Sequence, residues 1–561
     1  MMEIGYDIVP RRSIHAKKTN QATSFNDYYR ESPSQRMEKI SPQILQGEQP
    51  FVVDVEEETT SWRQTNPLLI ANVLEVIFPH LDHASLKACS QVSSLWSVMA
   101  TPLLRSRSQI HLEGSLHDDR SDAFLSTLIP TEPLPMASLT YNLHHTSAPS
   151  FLYERVSSFF SNFGHSLTSL TLQAYALQDP ANSLGTSHFF SVMSQLVCRD
   201  CPSLIHLTLT HLQNLDYLDP EIESSLNFTS SSIRHLTISF EGNSLIRPRR
   251  SLNCMTVLKC LLAIAPNATI LDTDCLCGGE TFMYFLMTLR ESQISSQLTS
   301  FSLSGGPLDK VAMNILNSMT FSRLTSLKMN TLITAQVQTE FIQFFQKLSP
   351  TLQKFVMFGD KSGKLGRMAR YEDGFTMDFP LMPKLKVFQH QNYEGLQLGS
   401  EDFLQRLPNL EEVVIRDFQP SLAEMMFCPE LTVWGPCSKV VLDVVFVPSY
   451  ENLGSMEKLL KMFPNVQELE LTLSFAYQNV YVGQVLDILA KSKIKFLQCA
   501  ELRCERVAAS FHAALVNYLP EFSQLQRVDF ILDDIPQLPP MSRFNLPLYI
   551  VKGMLCTRSL T

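Results

Sequence analysis

The sequence predicts an α/β fold in which a small three-helix module precedes a curved solenoid, with parallel strands inside and helices outside. One observation is a six-residue phrase, Leu-x-x-Leu-x-Leu with aliphatic or aromatic substitutes, that recurs along most of the chain. Another is its spacing, since the interval from Leu204 to Ile233 is 29 residues and that from Leu298 to Leu324 is 26. Amphipathic segments of helical period separate the copies. Units of this length cannot bury their apolar faces alone, so we expect them to stack.

Length, composition and charge exclude several classes of protein. The chain has 561 residues, of which 45% are hydrophobic, and its formal net charge of −10 argues against general nucleic-acid binding. The twelve cysteines are scattered through apolar segments, and the first residues lack a basic region followed by an apolar run, which predicts a reducing compartment, cytoplasmic and/or nuclear. The aliphatic stretch from Val440 to Val447 is interrupted by Asp443 and is too short to cross a bilayer, so we expect no membrane span.

Residues 1–64 are predicted to form a disordered N-terminal arm. This segment is polar, carries the acidic run Glu56-Glu57-Glu58 and has little apolar periodicity. Its basic pairs Arg11-Arg12 and Lys17-Lys18 are either a phosphorylation or nuclear import signal or solvated charge.

Residues 65–106 are predicted to form the three-helix unit, called here the helical module. Val73, Ile77 and Leu81 stand four residues apart, with Leu74 and Phe78 offset by one, which is typical of a helix of about three turns with one apolar stripe. After a turn at Asp82-His83 the apolar positions continue at Leu86, Cys89 and Val92, and Ser93 is placed to cap a helix that carries Trp96. So small a unit cannot bury all these side chains, and we expect part of its surface to face another molecule or domain.

The order of residues in the module resembles the F-box, the helical unit that docks a substrate receptor onto the Skp1-type adaptor of a cullin ubiquitin ligase. Ile70 and Leu104 stand where the family has a proline and a tryptophan. The resemblance implies a Skp1-like adaptor, and through it a cullin, as partners. The adaptor-binding residues that it implies are Leu69, Val73, Leu74, Ile77, Phe78, Leu81, Leu86, Cys89, Val92 and Trp96.

Residues 107–561 are predicted to form the repeats. Short strands are expected at 110–112 and 139–143, before the first copy of the phrase. Ten copies begin at Leu167, Leu204, Ile233, Leu298, Leu324, Leu352, Leu410, Val466, Ile494 and Leu525, and weaker copies begin at Ala268 and Leu385. Helices are predicted over 255–265, 280–290, 308–319 and 336–348, and prolines such as Pro350 stop a helix two residues before the next copy.

The repeated unit of strand, loop and helix resembles the long, irregular leucine-rich repeats of F-box receptors. The alternative is a non-repeating α/β domain.

Few residues point to chemistry. Cys198-x-x-Cys201 lacks the second pair that a structural zinc site needs, and Asp272-Thr273-Asp274 is either a metal-binding motif or a polar strand end. Phosphate-binding, serine hydrolase and zinc protease motifs are absent from the sequence. We therefore expect no catalytic residue, no metal and no cofactor, and a protein that is not an enzyme.

Two basic loops are the best candidates for target recognition. The residues that carry their charge are Arg247, Arg249, Arg250, Lys361, Lys364, Arg367 and Arg370. Both loops follow strand phrases directly, so in a solenoid they would share one rim. On an acidic chain they predict an acidic or phosphorylated protein target of unknown identity, unless they are solvated surface charge.

The preferred interpretation is a substrate-recognition subunit of an SCF-type ubiquitin ligase that leaves the transfer chemistry to other subunits. The alternative is a non-catalytic leucine-rich-repeat scaffold whose N-terminal helices only cap the solenoid, because an end repeat exposes its core. A hydrolase or transferase would need a polar cluster in a concave pocket, which the sequence does not predict.

Overall fold

The computed structural model describes a large part of the chain beyond residue 70. The described residues are 71–112, 137–142, 158–173, 193–210, 212, 229–239, 251–274, 279–305, 308–330, 333, 335–358, 375–377, 379–391, 396–398, 405–418, 437–446, 453–454, 456–457, 460–461, 463–475, 482–500, 514, 517–525, 527–531 and 548–552. They belong to one compact unit, Pro67–Thr561. The predicted N-terminal arm and both basic loops lie outside the described residues.

Three α-helices form the described part of the helical module. They are α1 (Ala71–Ile77), α2 (His83–Cys89) and α3 (Ser94–Arg107), and a 3-10 turn, Phe78–His80, extends α1. Ser93 caps α3 as predicted, because its hydroxyl accepts a hydrogen bond from the Trp96 backbone N–H at 3.3 Å.

Strands follow along the rest of the chain. They are β1 (Gln109–Leu112), β2 (Ser138–Asn142), β3 (Ser169–Gln173), β4 (His206–Thr210), β5 (His235–Ser239), β6 (Ile270–Asp274), β7 (Ser300–Ser304), β8 (Ser326–Asn330), β9 (Lys354–Phe358), β10 (Phe375–Met377), β11 (Val387–Gln391), β12 (Leu396–Leu398), β13 (Glu412–Phe418), β14 (Lys439–Phe446), β15 (Glu468–Phe475), β16 (Phe496–Ala500), β17 (Arg527–Ile531) and β18 (Leu548–Lys552).

Helices separate several of these strands. They are α4 (Ser251–Ile264), α5 (Gly279–Ser292), α6 (Lys310–Ser318), α7 (Gln338–Leu348) and α8 (Val482–Ala490). The four helices predicted from the sequence correspond to α4 to α7, and α7 ends two residues before Pro350, as expected for a proline stop. None of the helices in the described part of the chain is long and apolar enough to cross a membrane.

Sixteen strands form one sheet, in which β1 to β9, β11 and β13 to β18 lie side by side in the order of the sequence. Every pair of neighbours is parallel, so each connection returns to the same edge of the sheet. The short strands β10 and β12 pair with each other outside it. This topology confirms the predicted α/β class and its parallel sheet.

One backbone contact repeats at the N-terminal edge of the sheet and holds the repeats in register. The residue before the strand offers its carbonyl to two successive N–H groups of the next repeat in β2 to β9, β11 and β13 to β15. The Thr299 carbonyl, for example, accepts from Thr325 at 2.9 Å and from Ser326 at 3.0 Å. The Thr325 hydroxyl adds a bond to the same carbonyl at 3.0 Å, and the Thr299 hydroxyl does the same to Thr269 at 3.1 Å. Because each repeat satisfies its neighbour's backbone, the strands advance without a shift over this stretch.

The repeated phrase forms the core. From the copy that begins at Leu167 to the copy that begins at Val466, all three apolar positions are exposed by 4% or less. One of these positions lies two residues before the strand, and the other two are the second and fourth residues of the strand. These side chains share one core cluster with the buried side chains of α5 to α7. The helices therefore cover one face of the sheet. The first, third and fifth strand residues lie on the opposite side, called here the open face.

Some strands escaped the sequence analysis. The strand β14 uses Cys437 where other copies have leucine, and Cys437, Val440 and Leu442 are each fully buried. Its spacing obeys the phrase, so admitting cysteine at the first position would have found it. The strand β18 was also missed, although Leu546, Tyr549 and Val551 follow the spacing of the phrase. The pair β10 and β12 does not match the phrase and was missed as well.

Candidate functional sites: the helical module and the open face

The helical module has a small core of its own. Leu74, Phe78, Leu86 and Ala100 are buried there, separately from the core of the repeats. The rings of Phe78 and Trp96 meet edge to face with centroids 5.4 Å apart, which joins α1 to α3.

Polar contacts fix the turns between the three helices. The Asp82 carboxylate caps α2 by accepting from the Ser85 N–H at 2.7 Å, and this bond lowers the pKa of Asp82. The Arg107 guanidinium at the end of α3 donates to the carbonyls of Pro79 and Leu81, which follow α1. The arrangement of the helices is thus set by groups within the module.

The module nevertheless leaves apolar side chains in solvent. Among the described residues, eight large apolar side chains are exposed, and four of them are Val76 at 67%, Ile77 at 41%, Val92 at 63% and Val98 at 68%. Single exposed apolar residues are ordinary on protein surfaces, but this concentration in so short a segment is not.

The residues proposed for adaptor binding fall into three groups. Leu74, Phe78 and Leu86 are buried, so they hold the helices together and do not present a surface. Val73, Leu81, Cys89 and Trp96 are half-buried, whereas Ile77 and Val92 are exposed. Leu69 lies outside the described residues. Val76 and Val98 were missed by the sequence analysis, although their exposure is what the off-stripe positions of these helices predict.

The open face differs along the sheet. From β3 to β7 its described side chains are mostly hydroxyls, with two histidines and an aspartate among them. On β9, β13 and β14 its middle residues are Val356, Val414 and Val441, which are exposed by only 5%, 6% and 9%. The middle of this face is therefore apolar and covered on β9, β13 and β14, and polar on the earlier strands.

A chain of hydrogen bonds crosses three of these strands. His206 begins β4, His235 begins β5 beside it, and Asp272 is the third residue of β6. The Nδ1 atoms of the two histidines are 3.2 Å apart, and His235 Nε2 lies 2.7 Å from Asp272 Oδ2. Burial, followed by the charge of His235, lowers the pKa of His206. Sequence analysis could not find this cluster, because its members are 29 and 37 residues apart and meet only through the strand register.

The cluster has the base and the carboxylate of a catalytic triad without an aligned nucleophile. The position beyond His235 is occupied by a second imidazole. The hydroxyl of Thr237 is 3.4 Å from His235 Nε2, the nitrogen that already contacts Asp272. A triad needs the hydroxyl on the other nitrogen, so this geometry does not activate Thr237.

A second charged cluster lies farther along the open face. Lys439 Nζ is 2.7 Å from Glu470 Oε1 and 3.6 Å from Glu412 Oε1. Burial alone would lower the pKa of Lys439, but the hydrogen bond and charge of Glu470, together with Glu412, raise it. The ammonium of Lys439 on β14 is thus paired with carboxylates on the two neighbouring strands, β13 and β15.

The cysteine and aspartate motifs do not form a metal centre in the described part of the chain, where no group of three or more histidine, cysteine or acidic residues could hold an ion. Burial raises the pKa of Cys198 to about 11 and that of Cys201 to about 12, so both thiols stay protonated at neutral pH. Asp272 and Asp274 lie in β6, and Thr273 between them is buried and donates to the Ser302 carbonyl at 2.9 Å.

Comparison with known proteins gives structural neighbours only. No protein-family model matches the chain, and no curated protein sequence matches it. The leucine-rich-repeat-containing protein LegL7 of Legionella pneumophila superposes with a TM-score of 0.32 and 13% identity over 68% of this chain and 96% of its own. A Bacteroides fragilis protein superposes with a TM-score of 0.26 and 10% identity over 55% of this chain and 74% of its own. Likenesses this distant add nothing to what the strand order and register establish, which is a solenoid of stacked parallel strands.

Proposed function

We propose that this chain is a non-catalytic substrate receptor of a cullin ubiquitin ligase. The helical module docks onto a Skp1-type adaptor, and the repeats bind a target protein in the cytoplasm or the nucleus. The observation that carries the proposal is the exposure of Val76, Ile77, Val92 and Val98 on a module whose order of residues resembles the F-box.

The physical case for docking is the imbalance between core and surface in the module. Its buried core consists of Leu74, Phe78, Leu86 and Ala100, and it leaves as many large aliphatic side chains in water. Burying a valine stabilises an interface by about 1.5 kcal/mol or more. Several such side chains covered together would provide a hydrophobic interface core, and the module also carries the half-buried Trp96, a residue type enriched at such sites.

The test is co-purification of the full chain with a Skp1-type adaptor and its cullin. Replacing Val92 and Val98 with aspartate should reduce adaptor retention at least tenfold, a change of about 1.4 kcal/mol in binding free energy. The matched control replaces Val311 and Leu381, which are exposed by 58% and 59% in the repeats, and should retain the adaptor fully. Thermal unfolding should be unchanged in both variants, because all four side chains are already in water. Undiminished retention by the Val92 and Val98 variant would contradict the docking proposal.

A second candidate function is a scaffold whose helices only cap the solenoid. The contact that favours it is the bond from the Ala137 N–H to the Arg105 carbonyl at 3.0 Å, which ties the end of α3 to the start of β2. An end cap protects the core of a terminal repeat. The same co-purification separates the two functions, because a scaffold would bring down neither adaptor nor cullin.

The proposal also includes the chemical class of the target protein. An acidic or phosphorylated protein segment suits the basic loops that carry Arg247 to Arg250 and Lys361 to Arg370. Reversing the charge of both loops should abolish capture of a target identified by proximity labelling after proteasome inhibition. Unchanged capture would assign the loops to solvated surface charge.

A further inference from the structure

The cluster of His206, His235 and Asp272 on the open face is not used by the docking proposal. Each of its three side chains is at least partly accessible to solvent. The described open-face residues of the flanking strands are uncharged: Ser169, Thr171 and Gln173 on β3, and Ser300, Ser302 and Ser304 on β7. The adjacent cation, Arg234, donates to the Asn267 carbonyl at 3.2 Å. Asp272 is the carboxylate that contacts the imidazole of His235.

Hydrogen bonding fixes the tautomers at neutral pH. The Asp272 carboxylate can only accept, so at 2.7 Å it places a proton on His235 Nε2. Neutral His235 then has a lone pair on Nδ1. His206 Nδ1, 3.2 Å away, must donate to it, and His206 Nε2 is left as a hydrogen-bond acceptor.

Uptake of one proton reverses this order. If His206 Nε2 takes the proton, that nitrogen becomes a donor directly. If His235 becomes the imidazolium, its Nδ1 donates to His206 Nδ1, and the proton of neutral His206 moves to Nε2. In both states the outermost nitrogen of the chain has changed from acceptor to donor.

We propose that His206 Nε2 is a proton-sensitive hydrogen-bonding site for a polypeptide segment bound on the open face. At neutral pH it takes a donor group, such as an ammonium, amide or hydroxyl, and in acid it rejects that donor and takes a carboxylate instead. Thr210 on the same strand has a buried hydroxyl with no hydrogen-bond partner among the described residues, which a bound segment could supply.

The titration range follows from the surroundings of His206. Because burial and His235 lower the pKa of His206, it takes up its proton below the ordinary histidine value of about 6.5. The site is therefore in the acceptor state at pH 7.5, and acidification brings it to the donor state.

The binding role rests on the proposed capture of a target by the repeats, but the tautomers belong to the chain alone. The experiment is NMR of the full chain labelled at histidine with ¹³C and ¹⁵N, with His206 assigned by loss of its signals in His206→Gln. At pH 7.5 we expect the His206 proton on Nδ1, and at pH 5 we expect Nε2 to be protonated. Asp272→Ala should reduce the Nδ1-protonated fraction, whereas His165→Gln, at an exposed histidine elsewhere, should not. A His206 proton on Nε2 at pH 7.5 would overturn the proposal.

Two small ions test which groups the site accepts. Methylammonium should shift the His206 signals at pH 7.5 and acetate should not, and the preference should reverse at pH 5. Asp272→Ala should remove the preference for methylammonium. Equal shifts by both ions at both pH values would also overturn the proposal. Neither result depends on adaptor docking, so failure here and failure of the docking proposal are separate outcomes.

Discussion

The helical module and the repeats differ in how completely they bury their apolar side chains. In the repeats, the strands of the sheet lie side by side and α4 to α7 pack against one another in order. The apolar positions of the phrase from Leu167 to the copy at Val466 are exposed by 4% or less. In the module, three short helices close around four buried residues and leave Val76, Ile77, Val92 and Val98 in water. The difference teaches that an amphipathic strand or helix in this chain buries its apolar face only when a neighbouring unit stacks on it. The module has such a neighbour on one side only.

The largest expected effect separates the two cores. Phe345 is fully buried and contacts the rings of Phe341, Phe355 and Phe379 at 4.6, 4.9 and 5.1 Å between centroids. Phe345→Ala should destabilise the repeats by about 3 to 5 kcal/mol, because it leaves a cavity shared by neighbouring repeats. Calorimetry should show the main unfolding transition at a lower temperature.

Phe78→Ala is the matched variant in the module. Phe78 is also buried, but its described ring contact is with Trp96 alone. The substitution should abolish adaptor retention and leave the main transition almost unchanged. An equal fall in the main transition for both variants would mean that the two cores unfold together.

A glycine between repeats offers a second, smaller effect. A Cβ at Gly164 would lie 2.5 Å from the Asp200 carbonyl oxygen and 2.9 Å from Cys201 Sγ. Since the carbonyl belongs to the backbone, it cannot turn away, and Gly164→Ala should cost about 1 to 3 kcal/mol.

The control is Gly454→Ala, where a Cβ would have no neighbour within 4 Å. That substitution should leave the unfolding temperature unchanged or raise it slightly, because alanine favours helix. Equal stability of the two variants would show that the repeats tolerate a shift between neighbours.

The smallest expected effects come from helix caps. Asp309 caps α6 in the repeats by accepting from the Ala312 N–H at 2.8 Å, and Ser93 caps α3 in the module at 3.3 Å. Alanine at either position should cost about 0.5 to 2 kcal/mol. Hydrogen exchange should place the loss in α6 for Asp309→Ala and in α3 for Ser93→Ala; a loss spread over both regions would contradict their independence.

Acid should act on the second cap of the module. The Ser85 N–H lowers the pKa of Asp82, so the contribution of this cap is present above the ordinary aspartate pKa of about 3.9. It is lost as pH falls through the lower pKa of the folded state. NMR of the Asp82 carboxylate should therefore show a titration midpoint below the ordinary aspartate pKa. A midpoint at the ordinary value would contradict the hydrogen bond between Asp82 and the Ser85 N–H.

Local periodicity was enough to predict the repeats. The positions of Leu204, Leu207 and Leu209 repeat in copy after copy, and an apolar residue at each of them is buried for the same geometric reason. Pro350 and Ser93 likewise act through their own backbone neighbours. Such features depend on a few adjacent residues, and sequence alone displays them.

Features that depend on register were beyond the sequence. His235 meets His206 and Asp272 because β4, β5 and β6 align with no shift, and an offset of one residue would have turned their side chains to opposite faces. The division of the module's stripe into buried Leu74 and Phe78 and exposed Ile77 likewise required the helix packing. Periodicity identifies an apolar stripe but does not say which members a neighbouring helix covers.

The most direct test is hydrogen–deuterium exchange of the full chain, alone and with a saturating concentration of a Skp1-type adaptor. It shows whether the exposed apolar surface of the module binds the adaptor. Exchange should slow in α1 to α3, residues 71–107, and stay unchanged in β7 to β9, residues 300–358. Unchanged exchange over 71–107, or protection confined to the repeats, would contradict the account.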